Sequence, residues 1–350
     1  MRYGIVYMGS KEKILHLIEY VFNREYNKKN LIDLFCGGLS VSSFALQRTR
    51  FNVYANDLNH YIISLYRDLL SNEPNFDYYK YDWVSRKHFE DVRDNPQEYP
   101  PWYVGYVLNI WSFGCNQKDY LYAKDLESDK KAIHYALVFD DFRFMKESET
   151  FKGFKISDDI RKVRYSRYKQ KRISFMSKLK EFIKLEKKTQ ENASSPRLQQ
   201  LERLEQMENI SQMEHLNAVT RNKSKRSRLF LFNMDWKEFY DTLPKDVLEN
   251  GFIYCDPPYE NTKQYLFGSD FDYKEFWNWF RECPYPVYVS SYQAPEDIKP
   301  INFDFKAQLL DNGNANKERK AKKKYVQENI YWNGKGEPEP TFFDQLFNKN

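Results

Sequence analysis

The sequence predicts an α/β protein with a parallel sheet, interrupted by a long insertion. Three observations predict it. Strand-like and helix-like segments alternate up to about residue 75, the alternation is lost between about 76 and 229, and it returns from about 230 to 335. Alternation of short apolar runs with amphipathic stretches is the pattern of strand–helix–strand units, whose strands lie parallel.

In the first zone Ser10 is placed to cap a helix whose apolar positions are Ile14, Leu15, Ile18 and Val21. Leu31–Phe35 reads as a strand, Gly37-Gly38 as a turn and Ser40–Gln47 as a helix. Phe51–Ala55 is a second strand and Ile62–Leu70 a second helix.

The middle zone reads as mostly helical and then becomes basic. Arg161–Arg172 carries seven basic residues and no acid, with Tyr165 and Tyr168 interleaved, and Arg221–Arg228 (RNKSKRSR) is a second basic block. Between them, residues 198–216 place an apolar side chain at every third position: Leu198, Leu201, Leu204, Met207, Ile210, Met213 and Leu216. On a helix a period of three drifts round the axis and leaves no single apolar face. Composition there favours helix while the period does not, so a surface insertion and a recognition or self-association element both fit.

In the third zone Leu229–Phe232 reads as a strand, followed by Asp235-Trp236 and a short helix. Phe252–Cys255 reads as a buried strand, Tyr273–Phe280 as a helix and Val287–Val289 as a strand. Phe305–Leu310 and Tyr325–Trp332 are expected to form a final antiparallel pair around the basic loop Lys317–Lys324.

The composition is that of a globular protein: 350 residues, 30% charged and 41% hydrophobic, with a net charge of +5. The four cysteines lie in no CxxC pair and no histidine stands near them at ligand spacing, so no metal site is expected and reduced thiols are. No run approaches the roughly 20 apolar residues of a membrane span. A cytoplasmic protein is expected.

The most informative stretch is IYCDPPY, Ile253–Tyr259. Proline cannot continue a central strand, so the strand must end at Asp256. Each proline also holds its predecessor extended. The result is a stiff loop with an acid at its start and an aromatic ring at its end, on the sheet edge where open α/β sheets bind ligands. A capping Asp in a plain turn would explain one Pro and the Asp, but not the combination.

Other stretches fall on the same edge. In Asp33-Leu34-Phe35-Cys36-Gly37-Gly38-Leu39-Ser40 a strand ends in an acid and passes through paired glycines into a helix, whose first N–H groups face outward. It has neither GxGxxG nor a Walker lysine, which disfavours a diphosphate ligand. Asp57, in Tyr54-Ala55-Asn56-Asp57-Leu58-Asn59, follows at the spacing of a ribose-binding acid, although Asp57 or Asn59 equally suits a helix cap. Lys11, in Tyr7-Met8-Gly9-Ser10-Lys11, is placed either in solvent or against a carboxylate.

Taken in order, YMGSK, DLFCGG, NDLN, an insertion and YCDPPY resemble the Dam-like, or D12, class of adenine-N6 DNA methyltransferases. The likeness covers both flanking zones. Where the family often has a third glycine, this chain has Leu39. The resemblance implies an S-adenosylmethionine-dependent, Rossmann-like methyltransferase fold with a seven-strand mixed sheet. The catalytic domain would be formed by residues 1–75 and 230–335, with 76–229 as the recognition insertion and 336–350 as a tail. It implies S-adenosyl-L-methionine as cofactor, with Asp33, Phe35 and Gly37 against its methionine part, Asp57 on its ribose, Asp235 on its adenine, and Tyr7 and Lys11 near its carboxylate. It implies double-stranded DNA as partner.

Asp256 and the Pro257 carbonyl would then hold the hydrogens of adenine N6, in a loop stiffened by Pro258, while Tyr259 stacks on the base. A base inside a duplex must be flipped out to reach them. No covalent intermediate is needed, so Cys36 and Cys255 are not expected to act as nucleophiles. The basic blocks are expected to meet phosphates, through Arg164, Arg167, Arg226 and Lys322. The stretch Asn109–Gln117, resembling the family's Asn- and Gly-containing stretch, is expected to contact DNA, through Asn116, or to shape the pocket, while a plain helix end at Gly114 fits it equally. Rival readings are methylation of cytosine N4, RNA adenine or a protein glutamine, and a DNA-binding module without catalysis.

Overall fold

The structure, a computed structural model, describes residues 3–5, 7, 11–79, 82–154, 175, 177–185, 216, 219–258, 271–301 and 328–336. Two compact units divide the chain: residues 1–71 with 218–350, and residues 72–217.

The first unit holds a six-stranded sheet: β1 (Asn30–Asp33), β2 (Asn52–Asn56), β3 (Leu229–Phe232), β4 (Gly251–Cys255), β5 (Val287–Ser291) and β6 (Asn329–Trp332), in the order β3-β2-β1-β4-β5-β6. The first five run parallel and β6 runs antiparallel to β5, pairing Ser291 with Asn329. This mostly parallel α/β sheet agrees with a methyltransferase fold. Beyond β6, Pro300 bridges Tyr331 in the antiparallel sense and the Ile301 N–H donates to the Ile330 carbonyl at 2.8 Å. The expected strand at 305–310 lies outside the described residues, as does the repeat at 198–215.

The strands form as they do because both sheet faces are covered. β1, β4 and β5 are buried at every position, the near-continuous apolar pattern of a central parallel strand. Along β4 the side chains alternate. Phe252 packs among Phe22, Phe51 and Tyr288. Ile253 and Cys255 join Ile32, Leu34, Trp236, Phe239, Phe276 and Phe280.

Helix α1 (Leu15–Arg24) follows a 3-10 turn at Lys11–Ile14. Helix α2 (Ser40–Arg48) leaves the glycine turn, and α3 (His60–Leu69) starts at Asn59, whose side chain accepts from the Tyr61 and Ile62 N–H groups. The β3 edge is blunted. Its Leu229 N–H is taken by the Arg226 carbonyl and its Leu231 carbonyl by Arg67, two devices that discourage pairing with another strand.

The basic stretch Arg221–Arg228 belongs to this unit, as a 3-10 helix against α2. Buried Asn222 donates to Ser43 Oγ at 2.8 Å and accepts from Gln47. Arg228 donates to the carbonyls of Leu46, Thr49 and Phe51, closing the end of α2.

The second unit is mainly helical, with helices Arg86–Asp94, Pro101–Ile110 and Glu127–Val138. Its core is aromatic. Trp83 stacks on Tyr122 and meets Trp111 and His134 edge-on, while the Trp111 indole donates to Tyr106. Among the described residues no helix is long and apolar enough to cross a membrane.

Candidate functional site

Because β1 to β5 are parallel, their carboxyl ends share one edge, and the polar residues that follow them collect there. β1 ends at Asp33, β2 at Asn56 just before Asp57, β3 just before Asn233 and Asp235, β4 at Cys255 before Asp256, and β5 at Ser290 and Ser291.

The glycine turn is built by its neighbours. The Gly37 N–H donates to Asp57 Oδ2 at 2.8 Å, and the Tyr66 hydroxyl donates to the Gly37 carbonyl at 2.6 Å. The N-terminal segment crosses the turn, with the Ile5 N–H on the Gly38 carbonyl at 2.9 Å. A Cβ on Gly38 would lie 2.8 Å from both the Ile5 carbonyl oxygen and Tyr7 Cβ, and one on Gly37 would lie 3.1 Å from the Tyr7 ring. The glycines are therefore required by close approach of the front segment. Leu39, fully buried, adopts a left-handed conformation with φ 58°, the geometry a glycine would hold without strain.

Asp33 is buried; its Oδ2 accepts from Ser42 Oγ at 2.6 Å, and its Oδ1 has no hydrogen-bond partner. Burial pushes its pKa up to about 7, with nearby Asp256 and Asp57 adding to the rise. Asp57 is also raised by burial, opposed by the N–H groups of Asn59 and Gly37 that its two oxygens accept. Burial likewise pushes the Cys36 and Cys255 thiols well up, which keeps them protonated.

Phe35 faces an aromatic wall, with its ring 5.7 Å from Phe271, 5.9 Å from Phe276 and 6.5 Å from Trp236. Asp235 stands exposed beside that wall and caps helix Trp236–Thr242 through the Lys237 N–H.

At the end of β4, Asp256 is held from two sides. Lys11 Nζ lies 2.7 Å from Asp256 Oδ2 and 3.0 Å from Glu328 Oε1. Ser290 Oγ donates toward Asp256 Oδ1 at 3.5 Å and accepts from the Tyr254 hydroxyl at 2.8 Å. Lys11 is only 3% exposed. Burial pulls its pKa down, but the two carboxylates outweigh that and hold it above the usual lysine value. Pro257 is buried and Pro258 half-buried.

The structure thus brings together Tyr7, Lys11, Asp33, Phe35, Gly37, Asp57, Asp235, Asp256, Pro257 and Pro258 in one unit, along the carboxyl edge of its sheet. Tyr259, Arg164, Arg167 and Lys322 lie outside the described residues. Arg226 is exposed on the 3-10 helix. Asn116 sits in the second unit, where its Oδ1 accepts from the N–H groups of Lys118 and Asp119 and its Nδ2 donates to Asp119, fixing a turn.

Sequence reasoning missed four residues. Asn56 joins three strand ends through the Leu34 carbonyl and both the Met234 N–H and carbonyl. Ser42, Ser290 and Glu328 were also missed. An amide at a buried strand end and paired serines at the end of β5 were the available signals. Nothing local marked Glu328.

A family model described as D12 class N6 adenine-specific DNA methyltransferase matches residues 7–302 of the chain. No curated protein matches it.

Proposed function

The chain belongs to the D12 class N6 adenine-specific DNA methyltransferases, and from that premise we propose that Asp256 activates the adenine amino group at the carboxyl end of β4. The enzyme methylates adenine N6 in DNA. The observation that carries the assignment of its centre is the convergence of Asp33, Asp57, Asp235 and Asp256 on one sheet edge, with Asp256 anchored by a buried lysine.

The residues fit S-adenosyl-L-methionine. Asp33 presents a buried oxygen that lacks a donor, as a ligand ammonium would supply. Each Asp57 oxygen accepts one backbone N–H and keeps a lone pair for a ribose hydroxyl. Phe35 and Trp236 offer apolar walls next to Asp235, an acceptor for an adenine amino group. Gly37 and Tyr7 shape the turn beside Asp33. When bound, this cofactor supplies an electrophilic methyl group on a sulfonium.

The chain's own residues then supply alignment. The N6 lone pair of adenine is delocalised into the ring. An acceptor pair made by the Asp256 carboxylate and the Pro257 carbonyl draws the N6 hydrogens into fixed directions and concentrates the lone pair toward the methyl group. As N6 gains the methyl it gives up one proton, for which Asp256 is the acceptor at hand.

Tyr259 stacks on the extruded base. The unit at 72–217 serves as the target-recognition region, and Arg164, Arg167, Arg226 and Lys322 neutralise phosphates. Asn116 acts by shaping its turn. A seventh strand at 305–310 completes the sheet beside β6, which the Pro300–Tyr331 bridge supports.

Nucleoside mass spectrometry of mixed-sequence duplex DNA, after incubation with the protein and S-adenosylmethionine, tests the reading. N6-methyladenine is the expected product. N4-methylcytosine alone would overturn the base assignment.

A further inference from the structure

We propose that Glu328 and Ser290 are positioning residues that set the charge and orientation of the Asp256 carboxylate. This inference rests on the assignment of Asp256 as the group that meets adenine N6.

Both residues reach Asp256 through strand geometry. β5 runs parallel to β4 and delivers Ser290 to the carboxyl edge. β6 runs antiparallel to β5, with Asn329 opposite Ser291, so the start of β6 lies at that same edge and Glu328, one residue earlier, arrives beside Lys11.

The two contacts do different work. A lysine paired with Asp256 alone would neutralise the carboxylate that has to attract the amino hydrogens. Glu328 shares the same ammonium, at 3.0 Å against 2.7 Å, so the three groups carry a net negative charge with Asp256 at its outer end. Ser290 fixes direction. Its oxygen accepts from the fully buried Tyr254 hydroxyl, which turns its own hydrogen toward Asp256 Oδ1. Burial keeps the Tyr254 phenol protonated, so the relay has one sense. Among the described residues, the titratable groups coupled to Asp256 are Lys11 from the 3-10 turn, Asp33 from β1, and Tyr254 and Cys255 from β4, with Glu328 from the start of β6 joined through Lys11.

The test is single-turnover methyl transfer by the full chain with duplex DNA and S-adenosylmethionine, comparing wild type, Glu328→Gln, Ser290→Ala and an Asp256→Ala control. Glu328→Gln keeps an oxygen for Lys11 but removes the charge. Its rate is expected to fall about tenfold, about one pKa unit's worth of interaction, with cofactor and DNA dissociation constants within about twofold. The acid limb of its pH–rate profile is expected to move to lower pH, because Asp256 loses a neighbouring negative charge. Ser290→Ala should lose about fivefold in rate, with the limb shifting slightly to higher pH because the carboxylate loses a donor.

If Glu328→Gln retains the wild-type rate and acid limb while Asp256→Ala is inactive, the positioning role is wrong and the centre stands. If it loses ligand binding in step with rate, Glu328 is a binding residue and the inference also falls. If Asp256→Ala itself retains its rate, the assignment of the centre fails first. Ser290→Ala removes a single buried oxygen, so it remains informative should the charge variant fold poorly.

Discussion

The Lys11 ammonium lies 2.7 Å from the Asp256 carboxylate although the two residues lie far apart in the sequence. The pair ties the turn preceding α1 to the DPPY loop. Replacing Lys11 by Met would leave Asp256 and Glu328 facing each other without a cation. A loss of about 3–5 kcal/mol in unfolding free energy is expected, the usual result of breaking a buried pair from one side. Chemical denaturation at pH 7.5 measures it. Because the folded-state pKa of Lys11 is raised, its contribution is fully present below the ordinary lysine value of 10.5 and is lost as pH rises through the higher folded value. On the alkaline side the gap between wild type and variant should therefore narrow only in strong alkali.

Asp33 has the opposite dependence. It binds its proton more tightly folded than unfolded, so it favours folding while protonated and weakens it as pH rises from the ordinary carboxylate range through about 7. Asp33→Asn keeps an acceptor for Ser42. The variant should melt a few degrees higher than wild type at pH 8, with little difference at pH 5, as differential scanning calorimetry would read. It should also bind S-adenosylmethionine at least tenfold more weakly at pH 8, because the carboxylate that would meet the ligand ammonium is gone.

Leu39 occupies a backbone conformation with φ 58° while its side chain is fully buried. Leu39→Gly would relieve about 1–2 kcal/mol of strain but would forfeit a buried leucine worth about 2–5 kcal/mol. The variant is expected to be less stable by about 2 kcal/mol, the difference of the mid-range values. Burial, and not turn geometry, then explains why a leucine can stand in this turn.

The basic 3-10 helix should divide by residue. Arg228 is spent on three carbonyls at the end of α2, so Arg228→Ala is expected to lower the melting temperature. Arg226, by contrast, is exposed. If Arg226 meets a phosphate, the slope of log K against log salt should shrink by about one in Arg226→Ala. Fluorescence anisotropy across a salt series separates the two effects.

Most of the edge was legible because its signals are local. Asp33 before a glycine pair, Asp57 at the end of the next strand and DPPY after an apolar run each announce a strand end within a few residues. The five parallel strands were found to within one or two positions, while the final strand, expected from Tyr325, begins at Asn329. What could not be read depends on pairing between distant segments. Glu328 joins the centre only because β6 reverses direction beside β5, and no short window shows that. The turn that Asn116 fixes through its own hydrogen bonds was likewise not readable from its amide alone. The basic character of Arg221–Arg228 was plain, while the docking of Asn222 and Arg228 on α2 was not, because charge alone does not show which side chains are spent on backbone carbonyls.

If the Asp256 carboxylate activates adenine N6 through its charge, removing that charge alone must slow methyl transfer. The most direct measurement is the single-turnover methyl-transfer rate of Asp256→Asn, with cofactor and DNA affinities determined alongside. Asparagine keeps the shape and one acceptor but not the charge. A fall of about 100-fold or more in rate, with both affinities within about threefold of wild type, is the result expected. A rate within about threefold of wild type would show that the charge at Asp256 does no chemical work and would contradict the account.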